Sequence, residues 1–297
     1  RKKIVTSAIE HHAVLAACAY LSRYGFETVR IPVDRHGTVD LDELERKVDD
    51  RTLLVTIMHA NNEVGTIEPI QEIGRIARRS GAFFHTDAVQ SCGKVPIDTT
   101  AMQIDMLSLS GHKFYGPKGI GGLFVRSGIR FDPLIHGGHH EHNKRAGTEN
   151  VPAIVGLGAA CEIAAQEMPS EEPRIKELRN RLWQELSRTI PEIQQNGHPE
   201  QRLSGTLNIS VRYVEGESML LKLDHAGIYA SSGSACTSGS LEPSHVLIAM
   251  SIPPEMAHGS LRFSLGRFNT GSDVDRVVAT LPRIVADLRE ISPLYRH

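Results

Sequence analysis

Short apolar segments alternate with helical patterns through the first half of the chain. The apolar segments are residues 28–33, 53–59, 82–86, 106–109 and 121–125, and the helical patterns are residues 10–24, 41–49 and 69–80. Because strands that alternate with helices form βαβ units, this order predicts a mostly parallel central sheet with helices on both faces. The chain opens on a further strand-like segment, KKIVTSAI, with no Met before it, so we expect that residues are missing upstream.

The second half of the chain predicts a smaller α/β domain. A helical pattern rich in Ala and Gly, residues 151–168, is followed by MPSEEP, whose two prolines predict the end of the helix. We therefore divide the chain into a large domain, residues 1–167, and a small C-terminal domain, residues 168–297. Strands are expected in the small domain at residues 206–211, 228–230 and 261–265, and a final helix has an apolar face over residues 274–291.

Charge and hydropathy argue against several classes of partner. The 297 residues carry 33 Lys and Arg against 35 Asp and Glu, so no positive excess favours nucleic acid or an anionic membrane. The longest strongly apolar run, residues 151–161, is shorter than the ~20 residues of a spanning helix, and the N-terminal residues lack a signal-peptide core. Four scattered cysteines predict free thiols in the cytoplasm, or in an organelle matrix of a eukaryote, with Cys18 and Cys161 buried.

One lysine follows a predicted strand in a setting suited to Schiff-base chemistry. In SLSGHKFYGPKG, residues 108–119, the end of the strand is followed by Ser110, His112 and Lys113. A lysine at the carboxyl edge of an α/β sheet can form a Schiff base with an aldehyde cofactor if its pKa is depressed, and Ser and His can donate to a phosphate. The alternative is a solvated loop lysine, since other lysines lie in similar loops.

Polar side chains also follow neighbouring predicted elements. Asp87 can hold the proton on a pyridinium nitrogen and Gln90 can bond a phenolic oxygen, although Asp87 can equally be the N-cap of a helix. Asn62, in MHANNEVGT, can reach a ring oxygen or serve turn geometry. His11, in EHH, can stack on an aromatic cofactor ring or be structural.

The segment ASSGSACTSGSLEPSH, residues 230–245, surrounds Cys236 with small and hydroxyl side chains and no apolar anchor. This composition predicts a mobile, exposed loop whose thiol can react and then travel, with a chance surface thiol as the alternative. Arg262 lies on a predicted strand after that loop. Its guanidinium suits a substrate carboxylate, and Arg267 is the competing candidate.

A histidine-rich segment, HGGHHEHNKRAGTEN at residues 136–150, groups imidazoles around Glu141. Its spacing is compatible with a divalent metal, but metal ligands normally lie on fixed elements with supporting hydrogen bonds. We therefore prefer a solvated, Gly-rich loop and predict no metal site.

Together these motifs resemble the cysteine desulfurases of the NifS/IscS group, which are pyridoxal-phosphate enzymes of the aspartate-aminotransferase fold (PLP fold type I). The matching segments span nearly the whole chain and are EHHAVL, MHANNEVGTI, HTDAVQSCGK, SLSGHKFYGPKGIGGL, RAGTEN, SSGSACTSGSLEPSHVL and LRFSLGRF. The resemblance implies a homodimer that removes sulfur from L-cysteine, gives L-alanine and an enzyme-bound persulfide, and passes the sulfur to an iron–sulfur scaffold protein or another acceptor.

The resemblance also implies roles around the cofactor ring. Lys113 is expected to form the Schiff base with pyridoxal phosphate, His11 to stack on the ring, and Asp87 to contact the pyridine nitrogen. Gln90 and Asn62 are expected at the phenolic oxygen, with Asn62 also near the substrate. Lys113 and His11 count among the expected catalytic residues.

The remaining implied roles concern the phosphate, the substrate and the sulfur. Ser110 and His112 are expected to bind the phosphate, and Thr148 to bind the phosphate of a second subunit. His112 is a further candidate for moving the proton at the substrate Cα. Arg262 is expected to hold the substrate carboxylate, and Cys236 to be the nucleophile that accepts sulfur.

Two features depart from the resemblance. Relatives carry an upstream Thr-containing loop that holds the cofactor phosphate, which nothing before Arg1 supplies, and HHEHN at residues 139–143 replaces a less histidine-rich loop. Two alternatives therefore stay open. The chain can be a non-catalytic fragment or sulfur-relay partner without a complete cofactor site, or it can be a selenocysteine lyase.

Overall fold

A six-stranded sheet forms the larger part of the fold. The computed structural model describes residues 1–232, 243–293 and 295. The sheet has the order β2-β1-β3-β4-β5-β6, and every neighbouring pair is parallel except β5 with β6. Its strands are β1 (Lys3–Ser7), β2 (Glu27–Ile31), β3 (Thr52–Thr56), β4 (Phe83–Asp87), β5 (Met106–Ser110) and β6 (Gly121–Val125). The predicted α/β fold with a mostly parallel sheet is confirmed.

Helices connect the strands of this sheet. They are α1 (His12–Leu21), α2 (Leu41–Lys47) and α3 (Ile70–Arg79). In α3 the buried residues recur every three or four positions, which places them on one face against the sheet. Gly74 lies on that buried face. A Cβ added there would approach the Met102 carbonyl oxygen to 2.3 Å, so the close packing requires glycine.

A second, antiparallel sheet carries the smaller part of the fold. Its order is β7-β8-β9, with β7 (Ile193–Asn196), β8 (Thr206–Val211) and β9 (Ser260–Ser264). Around it lie α6 (Gly216–His225), α8 (Pro254–Ala257) and α9 (Gly271–Glu290), whereas α7 (His245–Ala249) packs with Ile9, Met58 and Val64 beside the large sheet. The strand predicted at residues 228–230 is wrong, since only the adjacent Ser231 forms an isolated bridge, to Arg262. Strand β7 was not predicted because its sequence, IQQN, is mostly polar.

One long helix crosses the predicted break between the two domains. The four-residue α4 (His140–Asn143) precedes it, and α5 (Val151–Thr189) then runs through both Pro169 and Pro173. The predicted end of the helix at MPSEEP is therefore wrong. Both prolines are exposed, so water can reach the carbonyls that lose a hydrogen bond, while buried residues on either side hold the helix in place. The domain boundary at 167/168 lies inside α5 and stays a prediction.

Helix α5 also bears on the expectation of no membrane partner. By length and composition it is apolar enough to cross a membrane, with a mean hydropathy of 1.2 in its 18-residue window, of which 17% is buried. The sequence expectation considered only the uninterrupted run at residues 151–161, whereas Ala and Gly keep the longer window apolar despite its two glutamates. Composition alone is weak support for a membrane span, and the absence of a membrane partner stays a prediction.

Candidate active site

The candidate site lies at the carboxyl edge of the large sheet. Because β1, β3, β4 and β5 are parallel, the segments that follow them leave the sheet at the same edge, where α/β proteins bind ligands. After β5 the chain turns at once into a 3₁₀ helix, Gly111–Phe114, which carries His112 and Lys113. Phe114 is buried against Ala160 and Ala164 of α5, and this packing fixes the turn beside the exposed Lys113.

A cavity of about 200 Å³ joins five of the predicted site residues. They are Asn62, Gln90, His112, Lys113 and Arg262, and the competing arginine, Arg267, lines the cavity as well. The five come from the segments after β3, β4 and β5 and from β9 of the second sheet, so the cavity is formed where the two sheets meet. The structure thus brings these residues together, and their individual roles stay predictions.

Lys94 is a cavity residue that the sequence interpretation left without a role. It lies beside Lys113, and burial together with the positive charge of Lys113 lowers the pKa of Lys94. The carboxylate of Glu172, on α5, opposes that shift. The only sequence signal was a lysine four residues after Gln90, which does not distinguish a cavity residue from a solvated one.

Asp87 ends β4 and is half-buried. Its Oδ1 accepts a hydrogen bond from the Val89 backbone N–H at 2.9 Å, and turns follow it rather than the helix that an N-cap role requires. The alternative that Asp87 caps a helix is therefore wrong. Asp87 is not part of the cavity lining, but its negative charge raises the pKa of the buried Glu10 carboxyl as a secondary effect after burial.

His11, Ser110 and His112 have defined hydrogen bonds. His11 caps α1, since its Nδ1 accepts from the Ala13 backbone N–H at 3.1 Å, which places the proton of a neutral ring on Nε2. Ser110 Oγ and His112 Nδ1 are 2.8 Å apart. Neither His11 nor Ser110 lines the cavity, although Ser110 ends β5 and His11 follows β1 at the same edge of the sheet.

The structure distinguishes between the two candidate arginines. Arg267 forms ion pairs with Glu167 at 2.8 Å and Glu171 at 3.1 Å, and its guanidinium stacks over Tyr115. Arg262 donates from one terminal nitrogen to the Asn62 carbonyl at 2.8 Å, and its Nε has no hydrogen-bond partner in the part of the chain that the structure describes. Arg262 is therefore the better-placed group for a substrate carboxylate.

The last two predicted site residues are Thr148 and Cys236. Thr148 is exposed in the loop before α5, and its assignment to a second subunit stays a prediction. Cys236 lies outside the described residues, so its predicted role is untested. Cys18 is buried as predicted, whereas Cys161 is exposed, because the first half of α5 is left largely uncovered by the rest of the chain.

The histidine-rich segment forms a compact turn in front of Thr148. Three successive residues of it, Glu141, His142 and Asn143, have positive φ, and His140 Nδ1 accepts from the Gly147 backbone N–H at 3.3 Å. Within the described ranges, no group of three or more His, Cys, Asp and Glu side chains is arranged to hold a metal ion.

Buried carboxyl groups beside the site were missed by the sequence interpretation. Burial raises the pKa of Glu63 to about 7 and that of Glu68 to about 8, and Glu63 accepts a hydrogen bond from Ser244 Oγ. Glu68 lies between two apolar residues, but Glu63 follows two asparagines in NNEVG, and its partner Ser244 is 181 residues away in the chain. Such a contact leaves no local pattern.

The residues at this edge fit the ring and aldehyde of pyridoxal phosphate. The Lys113 amine and the Gln90 amide share the cavity, and the Asp87 carboxylate ends the strand that leads to Gln90. The buried, unpaired Arg262 Nε provides a donor for a substrate carboxylate. A lysine, a carboxylate for the pyridinium and an anion-binding arginine form the donor set that this chemistry needs.

Known proteins share both the sequence and the fold. The sequence pattern of the aminotransferase class-V family matches residues 1–277. A cysteine desulfurase IscS from Methanosarcina thermophila is 56% identical over 293 residues, which cover 99% of this chain and 72% of the relative.

Two solved structures show the same fold. A NifS-like protein has a TM-score of 0.90 and 39% identity, over 97% of this chain and 76% of its own. SspA in complex with cysteine has a TM-score of 0.78 and 37% identity, over 91% of this chain and 75% of its own. The chain belongs to the aminotransferase class-V family and, within it, to the cysteine desulfurases of the NifS/IscS group.

Proposed function

We propose that this chain is a cysteine desulfurase that uses pyridoxal phosphate to convert L-cysteine into L-alanine and a persulfide on Cys236. The observation that carries this proposal is the cavity that joins Lys113, Gln90, Asn62 and Arg262. The names of the relatives agree with it, and one similar solved structure, SspA, holds cysteine.

Different residues of the chain bind the cofactor, bind the substrate and transfer the proton. When bound, pyridoxal phosphate supplies an electron sink for the charge released at the substrate Cα. Lys113 would hold its aldehyde carbon, Asp87 would keep its pyridine nitrogen protonated, and Gln90 would donate to its phenolic oxygen. Arg262 binds the substrate carboxylate through its guanidinium fork, and Lys113 then moves the Cα proton.

Sulfur transfer requires a second nucleophile. The Cys236 thiolate attacks the substrate sulfur and forms an S–S bond, while the bond from Cβ to sulfur breaks and its electron pair remains on carbon. Protonation of that carbon and return of a proton to Cα complete L-alanine. No external oxidant is needed, because the sulfur leaves cysteine at the oxidation level that the persulfide requires.

The acceptor and the compartment follow from the same proposal. A persulfide on an accessible cysteine transfers its outer sulfur to another thiol, so we propose an iron–sulfur scaffold protein or another sulfur acceptor as partner. Cys236 must be a free thiol to accept sulfur, which favours a reducing compartment such as the cytoplasm or an organelle matrix.

A homodimer is supported by an uncovered apolar surface around Thr148. The surface consists of Leu134 and Ile135 before that residue and of Val151, Ile154 and Val155 after it, all exposed. Because large exposed apolar patches mark interaction sites, we propose that a second copy of the chain covers this surface. Thr148 is exposed between these residues in the sequence and would then lie near the partner, as its proposed phosphate role requires.

The reaction can be tested directly. Purified protein supplied with pyridoxal phosphate and L-cysteine should give L-alanine and a persulfide on Cys236, measured by amino-acid analysis and intact mass. We expect Lys113→Ala to lose both products and Cys236→Ser to lose the persulfide. Wild-type protein that stays colourless after cofactor addition, or Cys236→Ser protein that still releases sulfide at the wild-type rate in the presence of a thiol, would contradict the proposal.

A further inference from the structure

The turn that carries Lys113 contacts the segment that follows the strand of Arg262. Tyr115 is two residues after Lys113 in the chain. It lines the same cavity as Gly266 and Arg267. Its hydroxyl oxygen accepts a hydrogen bond from the Arg267 backbone N–H at 2.8 Å. This bond joins the chain that follows β5 of the large sheet directly to the chain that follows β9 of the second sheet.

The ring of Tyr115 is held by neighbouring side chains. The guanidinium of Arg267 lies over it, 4.5 Å from the ring centroid, and the ring of Phe268 packs edge-on at 5.8 Å. A Cβ added at Gly266 would approach the Tyr115 hydroxyl oxygen to 2.3 Å, so this close contact requires glycine. The backbone of Tyr115 has a φ of 68°, a left-handed conformation that residues with a side chain seldom adopt. Such a conformation persists where surrounding contacts hold it, as they do here.

Arg267 is fixed in turn to α5. Its guanidinium forms ion pairs with Glu167 and Glu171, and its backbone carbonyl accepts a hydrogen bond from Arg174 at 2.9 Å. These three residues lie on α5, the helix that also supports the Lys113 turn. Arg267 is therefore placed relative to that turn both directly, through its backbone N–H, and indirectly, through α5.

Hydrogen-bonded backbone connects this contact to the amine and to the guanidinium of the cavity. On the amine side, the Tyr115 backbone N–H donates to the Gly111 carbonyl and closes the 3₁₀ turn. On the guanidinium side, the Leu265 backbone N–H donates to the Gly205 carbonyl at 2.8 Å, just beyond the end of β9. Short segments of two and five residues therefore separate the contact from the amine and from the guanidinium.

We propose that Tyr115 is a positioning residue for amino-acid binding, which sets the distance between the Lys113 amine and the Arg262 guanidinium. This inference rests on the proposed desulfurase function, in which one amino acid must reach both groups at once. Tyr115 does not touch the substrate in this account. It acts through the backbone of Arg267.

The contact of Tyr115 differs from the other attachment of Arg262. The bond from the Arg262 guanidinium to the Asn62 carbonyl ties it to the segment after β3. The Tyr115 bond ties the chain after β9 to the segment after β5, where the reactive amine lies. Because a site that is already ordered binds its ligand at a lower entropic cost, loss of the Tyr115 bond should weaken amino-acid binding.

Two dissociation constants of the full-length protein separate positioning from support of the cofactor site. Binding of pyridoxal phosphate to the cofactor-free protein requires Lys113 but not Arg262, and the absorbance of the bound cofactor measures it. Binding of the product L-alanine to the holoenzyme requires both residues, and the change in that absorbance measures it. We expect Tyr115→Phe to raise the dissociation constant of L-alanine about fivefold, while that of pyridoxal phosphate stays within about twofold of wild type.

Gly266 offers a second variant on the other side of the same contact. In Gly266→Ala the new Cβ would displace the Tyr115 hydroxyl, so we expect a similar rise in the dissociation constant of L-alanine. Removal of the hydroxyl makes room for this Cβ, because the next nearest ring atom, Tyr115 Cζ, is 3.5 Å away. The double variant Tyr115→Phe with Gly266→Ala should therefore bind L-alanine no more weakly than the weaker single variant.

Tyr24→Phe is the matched control. It removes an exposed hydroxyl that bonds to the Tyr20 hydroxyl at 2.9 Å, outside the cavity, and both constants should stay at their wild-type values. Wild-type binding of L-alanine by Tyr115→Phe, equal losses of cofactor and L-alanine affinity, or additive losses in the double variant would overturn the inference. Wild-type protein that fails to bind the cofactor or L-alanine would instead refute the proposed desulfurase function, on which the inference depends.

Discussion

At the scale of single residues, the candidate site depends on where strands end. Asn62, Gln90 and Lys113 each follow a parallel strand, so their convergence could be predicted from the sequence. The side chains that support them could not be predicted in this way. Glu63 depends on Ser244 and Asn208, which lie 181 and 145 residues away, and only the folded chain brings such partners together.

Arg262 gives a prediction at this scale. Arg262→Lys keeps the charge but loses the planar fork, so we expect the KM for L-cysteine to rise by about tenfold or more with a smaller change in kcat. Steady-state kinetics measure both constants. Arg267→Lys is the matched control, because the ion pairs of Arg267 with Glu167 and Glu171 occupy its guanidinium. Equal increases in KM for the two variants would contradict the assignment of Arg262.

At the scale of elements, the sequence predicted the strands of the large sheet to within a few residues but ended α5 too early. The strands are short apolar segments between clear turns, so local pattern determines them. The course of α5 is determined by packing on both sides of its prolines. Ala160 and Ala164 pack on Phe114, and Leu182 and Leu186 lie in the core beside the second sheet, which outweighs the local cost of Pro169 and Pro173.

Removal of a proline should therefore stabilise α5. Pro173→Ala restores a backbone donor at an exposed helical position, and we expect the free energy of unfolding to rise by about 1–3 kcal/mol. Urea denaturation followed by circular dichroism measures the change. Gly74→Ala, in α3, is the contrasting variant, because its Cβ would approach the Met102 carbonyl to 2.3 Å and should destabilise the protein despite better helix propensity. A loss of stability in Pro173→Ala would show that the proline fits a bend that the helix needs.

At the scale of the whole molecule, buried carboxyl groups determine how we expect stability to change with pH, and an uncovered apolar surface determines the expected assembly. Burial raises the pKa of Glu10 and of Glu68 to about 8, and each carboxyl is held by hydrogen bonds inside the fold. A carboxyl with a raised pKa stabilises the folded state most below its ordinary value of 4.5. That contribution is lost as the pH rises towards 8.

The pH dependence can be isolated with Glu68→Gln. Glutamine resembles the protonated carboxyl and does not ionise, so the variant should gain stability relative to wild type as the pH rises from 5 to 8. The gain should be at most about 1.4 kcal/mol per pH unit. Urea denaturation of both proteins at each pH measures the difference, to which groups common to both proteins do not contribute. A difference that does not change with pH would contradict the burial of Glu68 as an uncharged group.

The apolar surface around Thr148 leads to a prediction about assembly. Val155 is 65% exposed on α5, and Val155→Glu should convert the proposed dimer into monomers, as measured by analytical ultracentrifugation. Leu221→Glu is the matched control, since Leu221 is 63% exposed on α6, outside this surface, and the variant should stay dimeric. A wild-type chain that sediments as a monomer, or two variants that dissociate equally, would refute the proposed interface.

The continuity of α5 has a consequence for how the reactive amine and the carboxylate-binding guanidinium are spaced. In its first half, Ala160 and Ala164 support the turn that carries Lys113. Near its C-terminal end, Leu182 and Leu186 pack against the sheet that carries Arg262. A continuous helix therefore fixes both the distance and the relative orientation of the turn that carries Lys113 and the sheet that carries Arg262. Insertion of a single residue between Ala164 and Ile175 would rotate one end relative to the other by about 100°. Among related sequences, insertions and deletions are thus expected in the loops around the site and not in α5.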